Sequence, residues 1–286
     1  MIKDKETNFV YFSKLLKFNF EREYIKLISI LDKHQIKHGL LSGTKDIWCR
    51  DYMPIQVDRT KFVQFKYEPT YLNDSKENQD LKSNPKIICK KNNLKPFFSK
   101  INLDGGNIVK WSDQVILTDR IFNEIQEYND NKILNELEKI LEAQIIIIPQ
   151  IKSEMTGHAD GLVRFYNSNT ILVNELENEY KYWQKGILKS FKENNFDFIE
   201  VPWFSDKRKE MKKKYPNSAI GLYINFLEIQ NLIIIPKFKI EDNRDDEAFK
   251  LFKKYFPERT IEQIEINEIA KYGGLLNCIS WNVYKN

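Results

Sequence analysis

Cysteine is scarce in this chain. Its three cysteines, Cys49, Cys89 and Cys278, form neither a CxxC pair nor an even set with framework-like spacing, which argues against structural disulfides and for a reducing compartment. No zinc site is legible, and no run of apolar residues reaches the ~18 that a membrane span requires. The opening Met1-Ile2-Lys3-Asp4-Lys5-Glu6 contains acidic residues, with no apolar signal region before Phe9, so a cytoplasmic protein with no membrane partner is expected. An excess of charge is missing too. The 45 basic and 41 acidic residues are mixed along the sequence and leave a net charge of +4, which provides no strong field for nucleic acid. The densest basic cluster, Lys207-Arg208-Lys209 with Lys212-Lys213-Lys214, is flanked or broken by Asp206 and Glu210 and carries no interleaved aromatic residue. It reads as a solvated helix face.

What the chain does have is a globular composition, 42% hydrophobic and 13% aromatic over 286 residues, enough for one compact domain spanning residues 1–286. Helical spacing of Leu15, Leu16, Tyr24, Leu27, Ile28 and Leu31 predicts an early amphipathic helix over 14–34. Short apolar runs predict strands at 55–65, 108–109, 115–118, 143–149, 162–165, 170–173, 198–201, 223–229, 232–235 and 278–283. Helices are expected at 121–141, 181–194, 245–256 and 261–269, which makes this an α/β chain. The polar stretch 72–97 reads as a long exposed loop or an excursion beside a pocket. No sequence-identical repeat is present, although the strand, strand, helix rhythm recurs as a diverged structural repeat would.

Four segments could carry chemistry. In Trp48-Cys49-Arg50-Asp51-Tyr52-Met53-Pro54, an extended backbone would turn Asp51 away from Trp48 and Arg50. A carboxylate beside an aromatic face suits a planar cation, while the plainer alternative is an internal Arg50–Asp ion pair at a turn. Asp104-Gly105-Gly106-Asn107 permits a tight turn or the close approach of another segment. In Gly157-His158-Ala159-Asp160-Gly161, period-two alternation would place His158 and Asp160 on one face, either as a catalytic acid with its carboxylate or as a structural pair. Cys278, after the diglycine Gly273-Gly274, is a candidate thiol nucleophile, although a lone cysteine in an apolar segment is usually packing. His34 and His38 offer only two local ligands and read as a solvated or helix-end pair.

Taken in order, these segments resemble those of the agmatine deiminase and bacterial-type peptidylarginine deiminase family of guanidine-modifying enzymes. The resembling stretches also include Tyr223-Ile224-Asn225-Phe226, running into Ile235-Pro236-Lys237-Phe238, and Phe256-Pro257-Glu258-Arg259. The resemblance implies the pentein fold, an α/β propeller of ββαβ units around a pseudo-fivefold axis with the active site in the central cavity. It implies Cys278 as nucleophile, His158 as general acid and base, and Asp51 and Asp160 as the carboxylates that grip the guanidinium. It also implies Trp48 as a pocket wall, with Asp104 and Asn225 in lesser roles at the site.

The sequence departs from the family at Asn277, where agmatine deiminases usually carry His, at Met53, which replaces a common Gly, and in its shorter length. These departures bear on substrate choice. The expected reaction is hydrolysis of agmatine to N-carbamoylputrescine and ammonia through a covalent thiouronium on the cysteine. It needs no metal or organic cofactor and only a small-molecule guanidine as partner; homo-oligomer formation is left open. The alternatives are peptidylarginine or free arginine as substrate, amidino transfer to an amine, and a catalytically silent pentein that binds a guanidine or a protein.

Overall fold

The computed structural model describes residues 1–124 and 130–286. Among the described residues the strands form five three-stranded sheets, and one connection pattern recurs in each. Strand β1 (Phe9–Ser13) leads through α1 (Lys14–Asn19) and α2 (Glu21–Lys33) to a parallel partner, β2 (Lys37–Leu41). After the single turn α3 (Cys49–Tyr52), β3 (Ile55–Gln56) pairs antiparallel with β4 (Phe62–Lys66). The chain then crosses by α4 (Lys76–Asp80) and α5 (Pro85–Lys91) to β5 (Phe97–Asn102), parallel to β4.

The next unit repeats this with β6 (Val109–Trp111), β7 (Gln114–Thr118), α6 (Arg120–Glu124), α7 (Asp130–Leu141) and β8 (Gln144–Ile148). Then follow β9 (Val163–Phe165), β10 (Thr170–Asn174), α8 (Lys181–Glu193) and β11 (Asp197–Val201). A short helix, α9 (Lys209–Lys214), precedes β12 (Leu227–Ile229), β13 (Leu232–Lys237), α10 (Asp245–Tyr255) and β14 (Thr260–Glu265). Past α11 (Asn267–Ala270), β15 (Ser280–Val283) returns antiparallel to β1 and completes the sheet in which the chain began. The result is the pentein arrangement of ββαβ units, with both chain ends sharing one unit.

The middle strand of each sheet is paired on both edges, and its composition follows from that. In β13, Leu232 to Ile235 is a continuous apolar run with every residue buried, as expected where both faces are covered. The third strands lie at the sheet edge and expose much more, as in β11, where only Val201 is buried. Helix α8 packs back on its neighbours through Trp183, fully buried, whose indole Nε1 donates to the Pro149 carbonyl at 2.8 Å. No helix among the described residues is long and apolar enough to cross a membrane.

Several sequence expectations need correction. The helix expected over 261–269 is strand β14 followed by the short α11. Ile261, Ile264 and Ile269 mimic a helical stripe, but β13 offers an open parallel edge and Ile is β-branched, so pairing wins. The stretch 72–97 is no plain loop, since it contains α4, capped by Ser75, and α5, capped by Asn84 with Pro85 in its first turn. The run 55–65 is two strands, and 223–229 becomes a strand only from Leu227. The early helix breaks at Phe20 into α1 and α2. The helix expected over 121–141 is seen as α6 and α7, and its residues 125–129 lie outside the described residues. His34 ends α2 against Glu262 at 2.7 Å, whereas His38 sits on β2 rather than on a helix, 2.9 Å from Asp32.

Candidate active site

The four segments singled out for chemistry, and 223–226 from the family resemblance, each lie immediately before the first strand of a unit: 48–54 before β3, 103–107 before β6, 157–161 before β9, 223–226 before β12, and 273–279 before β15. Fivefold repetition therefore carries five distant stretches to one place. Asp51, His158, Asp160, Asn225, Cys278 and Trp48 all line a single cavity of about 360 Å³. Asp104 joins them through His158, whose Nε2 lies 3.0 Å from Asp104 Oδ2.

Local geometry at these segments differs from the extended backbone expected. Residues 49–52 make one helical turn, and Arg50 N donates to the Cys278 carbonyl at 3.1 Å, which ties the first segment to the last. Arg50 forms no ion pair with Asp51; its Nε donates to the Asn277 carbonyl at 3.3 Å. His158 precedes a tight turn at Ala159–Gly161 rather than lying on a strand, yet both His158 and Asp160 still face the cavity.

The diglycine at 105–106 is required by close approach. A Cβ on Gly105 would collide with the Arg50 carbonyl oxygen, and one on Gly106 would stand 2.5 Å from both Asp51 Oδ1 and His158 Nδ1. Gly106 N in turn donates to Asp51 Oδ1 at 3.1 Å. Gly274 serves the opposite wall in the same way, because any Cβ there would enter the Trp48 ring.

The imidazole is bracketed by carboxylates, with Asp104 on Nε2 and Asp51 Oδ1 3.6 Å from Nδ1. Burial alone would push its pKa down. Asp51, the Asp104 hydrogen bond and Asp160 outweigh burial and raise it to about 10, so His158 is an imidazolium at neutral pH. Asp51 is pushed well above the usual carboxylate range by burial, opposed by His158 and reinforced by Asp104, Asp160 and Asp46. Cys278 is half-buried, and burial followed by the charges of Asp160 and Asp51 holds its thiol well above the ordinary value. Its Sγ lies 3.4 Å from Asn225 Oδ1 and 3.7 Å from Asp160 Oδ2, and Asn225 Oδ1 also accepts from Cys278 N at 3.3 Å.

The other two cysteines are different. Cys49 and Cys89 are buried, do not line the cavity, and have thiols raised by burial, Cys89 to about 12.

Several residues at the site were not singled out in the sequence. Asp46 lines the cavity, caps Trp48 N at 2.8 Å, and is pushed up to about 7 chiefly by burial. Its signal was an Asx-type turn ahead of the Trp48 segment. Tyr71 donates to Asp104 Oδ2 at 3.1 Å from the edge of the polar excursion. Glu154 and Glu179 line the cavity too, and burial pushes Glu179 up to about 7. Among the described residues no lysine or arginine lines this cavity.

Comparison with known proteins agrees with this architecture. A family model described as Porphyromonas-type peptidyl-arginine deiminase matches residues 21–283. A curated agmatine deiminase of Pseudomonas aeruginosa (strain LESB58) is 37% identical over 60 residues, a match that spans 21% of this chain and 16% of that protein. Among solved structures, a C. jejuni agmatine deiminase superposes with a TM-score of 0.78 at 19% identity, covering 100% of this chain and 96% of that one. An agmatine deiminase of Enterococcus faecalis gives 0.76 at 14% identity, covering 100% and 95%. A Pseudomonas aeruginosa enzyme named DDAH, with citrulline bound, gives 0.62 at 10% identity, covering 96% and 99%. Likeness at these identities establishes a shared fold.

Proposed function

This chain belongs to the Porphyromonas-type peptidyl-arginine deiminase family of guanidine-modifying enzymes, and from that premise we propose that it hydrolyses a small guanidine, agmatine first among the candidates, through a covalent intermediate on Cys278. The observation that carries the reading is charge. Asp46, Asp51, Asp104 and Asp160 surround one imidazolium and one thiol, and no other cationic side chain lines the cavity among the described residues. Buried carboxylates in such excess call for a cation, and a planar one can lie between Asp51 and Asp160 against Trp48.

The same charge balance supplies the chemistry. Without a ligand the thiol is neutral, because burial, and after it the charges of Asp160 and Asp51, oppose its ionisation. A bound guanidinium offsets those carboxylates and lowers the thiol pKa, so that Cys278 gives its proton to solvent and becomes a thiolate, and it brings its own carbon to that nucleophile. Sulfur then bonds to that carbon, the C–N bond breaks, and the imidazolium of His158 gives its proton to the departing amine, which leaves as ammonia. His158, now neutral, takes a proton from water as the oxygen attacks the thiouronium carbon. The C–S bond breaks, and a ureido product and Cys278 are released. Asp104, hydrogen-bonded to His158, keeps the imidazole charged before the first step and oriented for the second.

Two observations favour agmatine over free arginine. Among the described residues no lysine or arginine of the cavity is available for an α-carboxylate, and the outer acidic residues Glu154 and Glu179 suit a second cation. In a panel of agmatine, arginine, arginine peptides and methylguanidines scored for ammonia and ureido product, agmatine should be the best substrate and arginine poor. Turnover of none would replace this reading with that of a silent guanidine-binding pentein, and amidine passed to an added amine would make the protein a transferase.

A further inference from the structure

Asp160 is 2% exposed, yet its carboxylate has a donor behind it as well as the cavity in front. Asn277 Nδ2 donates to Asp160 Oδ2 at 2.6 Å, and that same oxygen is the one 3.7 Å from Cys278 Sγ. Asn277 is itself held firmly. Its N–H donates to Asn225 Oδ1 at 3.1 Å, and its carbonyl accepts from Arg50 Nε at 3.3 Å and from Ser280 Oγ at 3.1 Å.

On the far side of Asn277 and Asp160 lies a second, polar cavity of about 20 Å³, also lined by Asp4, Arg50 and Arg164. Its volume suits about one water. Buried Arg50 stands at this wall with Nη2 lacking a partner among the described residues, and it still bonds Asn277 rather than Asp160. Asn277 thus meets both groups, its backbone carbonyl accepting from Arg50 and its side-chain amide donating to Asp160.

We propose that Asn277 is a positioning residue for Asp160: its amide pins Oδ2 toward Cys278 without neutralising the carboxylate, and leaves Oδ1 free for the guanidinium. The amide is suited to this because it donates without carrying charge and does not titrate in the working range. A lysine or arginine in its place would pair with Asp160 and remove the negative charge that a cationic substrate needs. The proposal rests on the guanidine-hydrolase reading, but one of its tests does not require turnover.

That test combines Asn277→Asp and Asn277→Ala, each checked for folding by circular dichroism, with two readouts as a function of pH: kcat and KM on the best guanidine, and the rate of Cys278 alkylation by iodoacetamide. In Asn277→Asp, two carboxyls at the separation now held by a hydrogen bond must share a proton, and the pair has a raised pKa. Turnover should gain a new limb that falls as pH rises, and the alkylation midpoint should move up by about one unit or more. In Asn277→Ala, loss of a hydrogen bond to a charged group should raise KM about tenfold or more, with kcat changing less.

Losses of equal size at every pH, an unmoved alkylation midpoint in Asn277→Asp, or a wild-type KM in Asn277→Ala would overturn the proposal. If Asn277→Asp does not fold, KM in Asn277→Ala decides. Absence of wild-type turnover on every guanidine would count against the hydrolase reading alone, because the alkylation midpoint still reports whether residue 277 acts on Asp160 and Cys278.

Discussion

Asp104→Asn separates the charge of one carboxylate from its shape. Asp104 Oδ2 accepts from His158 Nε2 at 3.0 Å and from the Tyr71 hydroxyl at 3.1 Å. The amide that replaces it is nearly the same size and still has an oxygen for Tyr71, so the fold should survive. A hydrogen bond to a charged group is worth about 1.5–3 kcal/mol net, and one pKa unit corresponds to about 1.4 kcal/mol. The substitution should therefore lower the His158 pKa from about 10 by about one to two units.

The sign is set by chemistry. His158 must be protonated to expel ammonia, so activity is lost as pH rises through its pKa, and in the variant that alkaline limb should begin at lower pH. Stability follows the same direction. A folded pKa raised from 6.5 to about 10 means that the stabilisation is complete below the unfolded value and is lost as pH rises toward the folded one. Wild-type Tm should therefore fall more steeply than that of the variant between neutral pH and the His158 pKa. The assay is ammonia release against pH, with the His158 resonance titrated by NMR in parallel. An alkaline limb and an imidazole titration both unchanged in Asp104→Asn would refute the reasoning.

Other perturbations have defined outcomes. Asp51→Asn and Asp160→Asn should each cost on the order of 2–5 kcal/mol in kcat/KM while changing thermal stability less; near-normal turnover in both would make these carboxylates structural. Gly106→Ala should abolish activity, because the added carbon would stand 2.5 Å from Asp51 Oδ1 and His158 Nδ1, and a wild-type rate would show that the close approach is unnecessary. In a Cys278→Ser background, calorimetry should find agmatine binding stronger at pH 8 than at pH 5, since burial raises the Asp46 and Glu179 carboxyls to about 7 and Asp51 well above its usual range. Equal affinity at both pH values would contradict the charge argument.

What the sequence reveals of this protein follows how strongly each element depends on its own residues. Middle strands carry continuous apolar runs such as Val115–Leu117 and Leu232–Ile235 because both faces are covered, and they stand out. The edge strands β2, β5 and β14 do not. Lys37–Leu41 contains Lys, His and Gly, and Phe97–Asn102 exposes both phenylalanines, so neither shows clear alternation. These edge strands exist because a buried neighbour needs hydrogen-bond partners, which is information held elsewhere in the chain.

The site divides in the same way. His158, Asp160 and Cys278 were legible near glycines, and Asp51 between Trp48 and Pro54, but their assembly depends on the fivefold arrangement of the units. Asn277 was visible only as a departure from the family pattern; its bond to Asp160 required the meeting of the segment before β15 with the turn before β9. Asp46, Tyr71 and Glu179 have ordinary sequence surroundings, and only the enclosed cavity gives them a role.

The most direct measurement is mass spectrometry of the wild-type protein quenched within one turnover on its best guanidine substrate and then digested. The account predicts a thiouronium adduct on the peptide that contains Cys278 and none on those containing Cys49 or Cys89, whose buried thiols lie outside the cavity. An adduct on Cys49 or Cys89, or full turnover in Cys278→Ala, would contradict it.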